Sequence, residues 1–356
     1  MSTLEGAHPL GGKRFDWAVT LLSALFMIGM YLDGWAHNNI AAELEDFFTP
    51  WHGMVALGSF LALAFLGLAF LRNVRRGYSW RQALPAGYGL SLLGALLFWG
   101  SFAGDMVWHG LFGIEVNVEA LLSPTHLLQA TSMVLIFSGP YRAAWQRPGR
   151  EMNGQPVLPM LISMTLILAP LTFMTQAFHP IILPWEAVGF GGGPDDLWLN
   201  EFIFPALGVT QTLLQTGILF GVVLFTIRRW RLPLGSLTLV FTLNAVALTA
   251  LRNFESPRHA LLIGHVIAGI IADGLIYVLK PSAERPASFR LFAASMPVIL
   301  YALHYTGLLL TVGVWWSVSL WTGTIVLAGI AGLLLSYLVV PPEVPVEQRP
   351  ELAAVR

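Results

Sequence analysis

The sequence predicts an all-α protein, a polytopic membrane helical bundle of about ten transmembrane helices with a repeated helix-pair motif. Three observations predict this fold class. Hydrophobic residues make up 56% of the 356-residue chain and charged residues only 11%, against about 25% charged in ordinary soluble domains. The mean hydropathy is +0.68. The apolar residues fall into runs of about 20, the number that crosses a bilayer as a helix.

Ten apolar runs, separated by polar or proline-containing segments, define the predicted spans. They cover residues 17–36, 52–71, 86–108, 124–140, 157–178, 202–227, 233–251, 257–279, 290–312 and 316–340. The transmembrane domain is therefore predicted at 17–340, between an N-terminal segment at 1–16 and a polar, proline-rich C-terminal tail at 341–356. No small-residue cleavage motif accompanies the first apolar run, so this run is predicted to be a retained helix.

Basic residues are sorted to one end of the predicted spans. Seventeen of the 19 lysines and arginines fall there, and only Arg252 and Arg258 fall at the opposite end. The positive-inside rule then predicts that both termini are cytoplasmic, in a multi-pass protein of a cell membrane, inner or plasma. We expect the lipid bilayer as the main partner, and other membrane subunits or a homo-oligomer stay open.

Charge and cysteine content exclude several classes of function. The formal net charge is -1, so no bulk positive field attracts nucleic acid, and the chain contains no nucleic-acid-binding motif. The absence of cysteine excludes disulfides, thiolate metal sites and iron–sulfur clusters. With no thiolate available, we expect any metal ion to be held by nitrogen and oxygen atoms.

One pattern of histidine and aspartate occurs twice at the predicted outward boundary. An Asp-x-x-x-His ends one span, and a [Ser/Thr]-Pro-x-His opens the next. The first copy is Asp33, His37 and Thr49-Pro50-Trp51-His52, and the second is Asp105, His109 and Ser123-Pro124-Thr125-His126. The copies are offset by 72, 72 and 74 residues at the aspartate and the two histidines, which predicts an internal repeat of a helix pair.

The residue types in this pattern suit a metal site. Aspartate and histidine four positions apart share one helix face, so both can approach one ion. The hydroxyl residue is a good N-cap, proline suits the first helical position, and histidine falls in the first turn. A partial third copy, Ser256-Pro257-Arg258-His259, opens the eighth span. The predicted ligands are Asp33, His37, His52, Asp105, His109, His126 and His259, with copper as the expected ion and zinc or iron as alternatives, since imidazole suits all three.

Two histidines lie deeper in the predicted spans, His265 in the eighth and His304 in the ninth. Their depths are comparable, so a bis-histidine haem between them is an alternative cofactor site, although haem is not the cofactor we expect. Hydrogen-bonded structural roles are the other interpretation. Asp273 lies further inward and predicts either proton or ion passage or pairing with a polar neighbour such as Asn244.

The string Asp105-x-x-Trp108-His109 followed by Ser123-Pro124-Thr125-His126 resembles the intramembrane copper motif of the C subunit of particulate methane and ammonia monooxygenases. The resemblance implies that Asp105, His109 and His126 bind copper and that the first copy is a second such set. It covers about 22 residues per copy. The chain departs from the family in its longer spacing between the histidines, its duplicated motif and its larger number of spans.

Three functions remain open on the sequence alone. The first is a membrane metalloprotein which, if it is an enzyme, is a copper oxidoreductase acting on a small or lipid-soluble substrate. The second is a metal-ion or small-solute transporter or metal-handling protein, for which a continuous polar path past Asp273, Asn244 and Gln215 is expected. The third is a membrane scaffold subunit whose histidines serve only hydrogen bonds.

Overall fold

The computed structural model describes residues 8–40, 49–113, 115, 118–147, 157–190 and 196–342. Within these ranges the chain forms helices and connecting turns, and no β-strand. The helices are α1 (Lys13–Asn39), α2 (Pro50–Arg75), α3 (Gly89–Phe112), α4 (Val118–Leu122), α5 (Pro124–Phe137), α6 (Gly139–Trp145), α7 (Val157–Met174), α8 (Phe204–Arg229), α9 (Ser236–Ala250), α10 (Arg258–Leu279), α11 (Pro286–Thr311) and α12 (Val318–Val339). A π-helical turn at Leu199–Ile203 leads into α8.

The predicted fold class is confirmed as a polytopic membrane helical bundle. In the described part of the chain, eight helices are long and apolar enough to cross a membrane: α1, α2, α3, α7, α8 with its π-helical turn, α10, α11 and α12. The predicted span at 233–251 corresponds to the 15-residue α9. The span predicted at 124–140 corresponds to α5 and α6, which are separated at Ser138. Two parts of the predicted terminal segments lie outside the described residues. These are residues 1–7 of the N-terminal segment and residues 343–356 of the C-terminal tail.

Local chemistry explains the break between α5 and α6. Pro140 has no backbone N–H, and its ring disfavours a regular helix through the preceding turn. The carbonyls of Leu135 and Ile136 accept hydrogen bonds from Ser91 Oγ at 3.2 and 3.1 Å. The carbonyl of Phe137 accepts one from Ser163 Oγ. Backbone groups freed at membrane depth are thus bonded by side chains of neighbouring helices, as an apolar environment requires.

Two helix hairpins, α1 with α2 and α3 with α5, are close-packed. A Cβ atom added at Gly58 of α2 would lie 2.5 Å from the Cα of Phe26 in α1, and one added at Gly94 of α3 would lie 2.7 Å from the Ser132 carbonyl of α5. Glycine lets the backbones approach at these crossings. Each hairpin therefore brings the end of its first helix beside the start of its second.

Aromatic packing and one ion pair hold the hairpins to the rest of the bundle. Phe26 packs edge-on against Phe98 and Phe137, with ring centroids 4.7 and 5.4 Å apart. At the opposite end of α1 from the hairpin turn, buried Asp16 accepts a hydrogen bond from Tyr88 at 2.6 Å and pairs with Arg147 at 2.6 Å. These contacts hold the middle of α1 against α3 and α5, and its N-terminal turn against the segments that border α3 and α6.

Candidate metal centre

The second copy of the motif forms a compact cluster, which we call the second triad: Asp105, His109 and His126. Asp105 Oδ2 lies 3.5 Å from His109 Nε2 and 3.2 Å from His126 Nε2. The Asp105 side chain is only 4% exposed, and those of His109 and His126 are 12% and 20% exposed. Two imidazole nitrogens and one carboxylate oxygen thus converge where α3 ends and α5 begins.

The first copy forms the same cluster, the first triad: Asp33, His37 and His52. Asp33 Oδ2 lies 3.8 Å from His37 Nε2 and 3.6 Å from His52 Nε2. This triad is more open to its surroundings, since the His37 side chain is 40% exposed. Both triads therefore present the same three atoms, an aspartate Oδ2 and two histidine Nε2, and in each triad the ligand atoms lie within 4.8 Å of one another.

The spacing of these atoms fits a metal ion. Tetrahedral coordination with bonds of about 2.0–2.2 Å holds neighbouring donor atoms about 3.3–3.6 Å apart. The carboxylate-to-imidazole distances of the second triad, 3.2 and 3.5 Å, are close to this range. Those of the first triad, 3.6 and 3.8 Å, are slightly wider. Both sets of residues fit a transition-metal ion held by nitrogen and oxygen, and the second is the tighter of the two.

The helix caps orient one histidine in each triad. Thr49 caps α2 by accepting the His52 backbone N–H at 3.1 Å, and its hydroxyl also lies 3.1 Å from His52 Nδ1. Ser123 caps α5 through the His126 N–H at 3.4 Å and lies 2.9 Å from His126 Nδ1. One hydroxyl thus starts the helix and anchors the ring, so that Nε2 points at the aspartate. Metal-binding histidines are commonly held through their second nitrogen in this way.

His109 has a geometry that a cation between the ring and Asp105 would stabilise. Its Nδ1 lies 3.2 Å from the Gly113 carbonyl and 3.1 Å from Glu115 Oε2. Both neighbours only accept hydrogen bonds, so Nδ1 carries the proton. In a neutral ring the lone pair of Nε2 then faces the Asp105 carboxylate. A second proton on the ring or a metal ion between the two acceptors would stabilise this arrangement.

The triads differ at one supporting position. Thr125 Oγ1 donates to Asp105 Oδ1 at 2.5 Å, which holds the second carboxylate in place. The equivalent position in the first copy is Trp51, which packs against Trp35. Among the described residues, Asp33 Oδ1 is buried with no hydrogen-bond partner. The second triad is therefore better preorganised.

The two triads lie within electrostatic reach of each other. His37 of the first triad interacts with His109 and His126 of the second, and Asp33 interacts with His126. The sequence left open whether the two motifs form two sites or one shared site. The structure places them as neighbours at the same end of the bundle.

His259, the seventh predicted ligand, lies in neither triad. It is exposed at the second residue of α10. In the first two copies proline is the first helical residue, whereas in the third Pro257 is the N-cap and α10 begins at Arg258. The side-chain cap bond found at Thr49 and Ser123 has no counterpart at this helix start in the described structure. The one-residue shift turns His259 by about 100° around the helix relative to His52 and His126.

His265 and His304 are brought together on the wall of one small cavity, about 20 Å³ in volume. This size suits water molecules or a metal ion and not a porphyrin. His304 Nε2 bonds to the carboxylate of Glu186, and His265 Nδ1 lies 2.9 Å from the Leu261 carbonyl. Asp273 is bound instead to the start of α9, where it accepts the Leu237 and Thr238 backbone N–H groups at 3.0 and 2.9 Å.

Three residues of functional interest were missed by sequence reasoning. Glu115 and Thr125 both contact the second triad. Their signals were weak but present: Glu115 lies six residues after His109, and Thr125 occupies the x position of Pro-x-His. Glu186 pairs with His304 across 118 residues of sequence, and no local pattern could have indicated this contact.

Comparisons of the chain with protein-family models, with curated proteins and with solved structures give no match. The geometry of the triads therefore carries the functional argument, in a protein that is a polytopic membrane helical bundle with two Asp/His/His groups that could each hold a metal ion.

Proposed function

We propose that this protein is a membrane metalloprotein that binds a transition-metal ion, copper before zinc or iron, at each of its two triads. The distribution of basic residues supports placing the triads on the outward face of a cell membrane, with both termini in the cytoplasm. Association with other membrane subunits or with a second copy stays a prediction.

The observation that carries the proposal is that two acceptor atoms of the second triad, His109 Nε2 and Asp105 Oδ2, face each other. His109 Nδ1 donates to the Gly113 carbonyl at 3.2 Å and lies 3.1 Å from Glu115 Oε2, while His109 Nε2 lies 3.5 Å from Asp105 Oδ2. A metal ion at this point would replace the repulsion between lone pair and carboxylate with two bonds. Because the same atoms converge in the first triad, this explanation accounts for both clusters at once.

The donor set favours copper for an oxidoreductase function. Imidazole nitrogen with a carboxylate oxygen, and no thiolate, suits copper, zinc and iron, and the local resemblance to the copper motif of the methane and ammonia monooxygenases ranks copper first. When bound, copper would supply one-electron redox chemistry and a coordination position not taken by the protein. Asp105, His109 and His126 would hold it, while Ser123 and Thr125 orient the ligands.

A metal-handling function is the second candidate, and the openness of the first triad favours it. The His37 side chain is 40% exposed against 12% for the equivalent His109. An open site beside a more enclosed one suits capture of an ion from the aqueous side followed by transfer. Asp273 is engaged at the start of α9, so the inward polar path expected for full transport does not gain support from it.

Elemental analysis with electron paramagnetic resonance tests the metalloprotein proposal. The samples are the detergent-purified protein, the Asp105→Ala/His109→Ala/His126→Ala variant, and His259→Ala as the matched control at an exposed boundary histidine. We expect copper in the wild-type protein and the control, with the signal of the second triad lost in the triple variant. If loading with copper, zinc or iron leaves all three folded proteins without metal, the triads are a structural ion-pair network and the scaffold function replaces this proposal.

A further inference from the structure

A second group of buried histidines lies away from the triads, around the cavity between α7, α8, α9, α10 and α11. His179, Gln215, Asn244, His265 and His304 line it together with apolar residues. Each of these five is at least nine-tenths buried, with His304 at 2% and His265 at 9% exposure. Polar groups at such depth need partners, so the hydrogen bonds that they make decide what the cavity can accept.

Two of the histidines that line the cavity each have one ring nitrogen bonded to a protein oxygen. His304 Nε2 donates to the Glu186 carboxylate, and among the described residues its buried Nδ1 has no hydrogen-bond partner. His265 Nδ1 lies 2.9 Å from the Leu261 carbonyl, which only accepts, so that nitrogen carries the proton. As neutral rings, the two histidines would present His304 Nδ1 and His265 Nε2 as lone-pair donors to a ligand.

Gln215 adds an oxygen to the same cavity. Its amide nitrogen donates to Thr175 Oγ1 at 3.0 Å and to the Phe178 carbonyl at 2.9 Å, which uses both amide hydrogens. Within the described structure its buried Oε1 is left without a partner. The residues that line the cavity thus offer two ring nitrogens and one amide oxygen as acceptors, a set that a cation would satisfy.

His179 has a different role in the cavity. Its Nδ1 accepts the Ile181 backbone N–H at 3.1 Å, so the proton of the neutral ring lies on Nε2. In this tautomer His179 offers no further lone pair, and its Nε2–H can bond to water in the cavity.

We propose that the cavity is a third metal site, separate from the triads, which takes a single copper(I) ion through His265 Nε2, His304 Nδ1 and Gln215 Oε1. The support of the two rings follows the usual arrangement of metal-binding histidines, each with its other nitrogen donating to a carboxylate or a backbone carbonyl. The cavity of about 20 Å³ accepts an ion without rearrangement of the helices. A monovalent ion would bring one positive charge into this apolar interior, whereas a divalent ion would bring two at a larger desolvation cost.

Retention of copper after a chelator wash tests this site independently of the triads. The protein is produced in copper-supplemented medium, purified under reducing conditions and washed with bathocuproine disulfonate, which removes copper(I) from water-accessible sites such as the open first triad. We expect about one copper ion per chain to remain in the wild type and in the Asp105→Ala/His109→Ala/His126→Ala variant. We expect it to be absent from His265→Gln/His304→Gln.

His259→Gln, an exposed histidine on the same helix as His265, is the matched control and should retain the ion. If the double variant does not fold, His265→Gln alone serves, because its amide can still bond to Leu261. X-ray absorption of the washed protein should show only nitrogen and oxygen ligands, in two- or three-fold coordination. Loss of all copper from the washed wild type, or its retention in the folded cavity variants, overturns the proposal without bearing on the triads.

Discussion

Replacing Thr125 by valine removes a hydroxyl that bonds to Asp105 and lies 3.2 Å from Ser123 Oγ, with almost no change in volume. The Thr125 hydroxyl donates to Asp105 Oδ1 at 2.5 Å, and Oδ2 of the same carboxylate faces His109 and His126. A hydrogen bond to a charged group contributes about 1.5–3 kcal/mol. Loss of a partner that orients a metal ligand lowers affinity about 10- to 100-fold, which corresponds to about 1.4–2.7 kcal/mol. The two estimates agree, so we expect the Kd of the second triad for copper to rise by one to two orders of magnitude.

Competition titration against a copper chelator in detergent measures this change. The first triad is an internal reference, because Trp51 occupies the position of Thr125 there and its affinity should not move. Thr125→Ser keeps the hydroxyl and should bind like the wild type. If Thr125→Val folds and both triads keep their wild-type affinity, Asp105 is not positioned by this hydrogen bond, and the assignment of the second triad as the better preorganised site fails.

Three further perturbations test the fold and the sites. Gly58→Ala should destabilise the protein by about 1–3 kcal/mol, because the new methyl group meets the Phe26 backbone. Gly53→Ala is the control, since its methyl group enters open space, and its midpoint of thermal unfolding should equal that of the wild type. Asp16→Asn should lower the free energy of unfolding by about 2–3 kcal/mol, because partly buried Arg147 loses its carboxylate partner. Denaturant unfolding measures this change, and an unchanged midpoint would contradict the expectation. Copper at about 100 times the Kd should stabilise the protein by about 2.7 kcal/mol per site. A variant lacking both triads together with His265 and His304 that gains as much would show that the ion binds elsewhere.

The membrane architecture was predictable because it depends on local composition. A bilayer requires about 20 apolar residues per helix, and the predicted spans have helical counterparts in α1 to α12. Lengths were harder to predict, since α9 has 15 residues and α5 ends at Phe137. The break after α5 depends on Ser91 and Ser163, which bond the freed carbonyls from other helices, and their positions are a result of packing.

The triads were predictable for the same reason. Four residues of helix bring Asp33 beside His37 and Asp105 beside His109, and an N-cap followed by proline sets the histidine of the next helix in its first turn. Short hairpins then close each cluster. The third copy shows the limit of this reasoning, because a start of α10 one residue later places His259 on a different face.

The sequence by itself determined the helical membrane class, the two Asp/His/His groups and the exclusion of thiolate chemistry, because hydropathy, helix periodicity and helix caps act over a few residues. Only the tertiary structure decided which supports each site has and which distant groups meet. The second triad is better preorganised because Thr125, and not a tryptophan such as Trp51, supports its aspartate. Glu186 and His304 pair across 118 residues. The cavity of His265 and His304 exists because five helices pack around it, and no short-range pattern encodes such a contact.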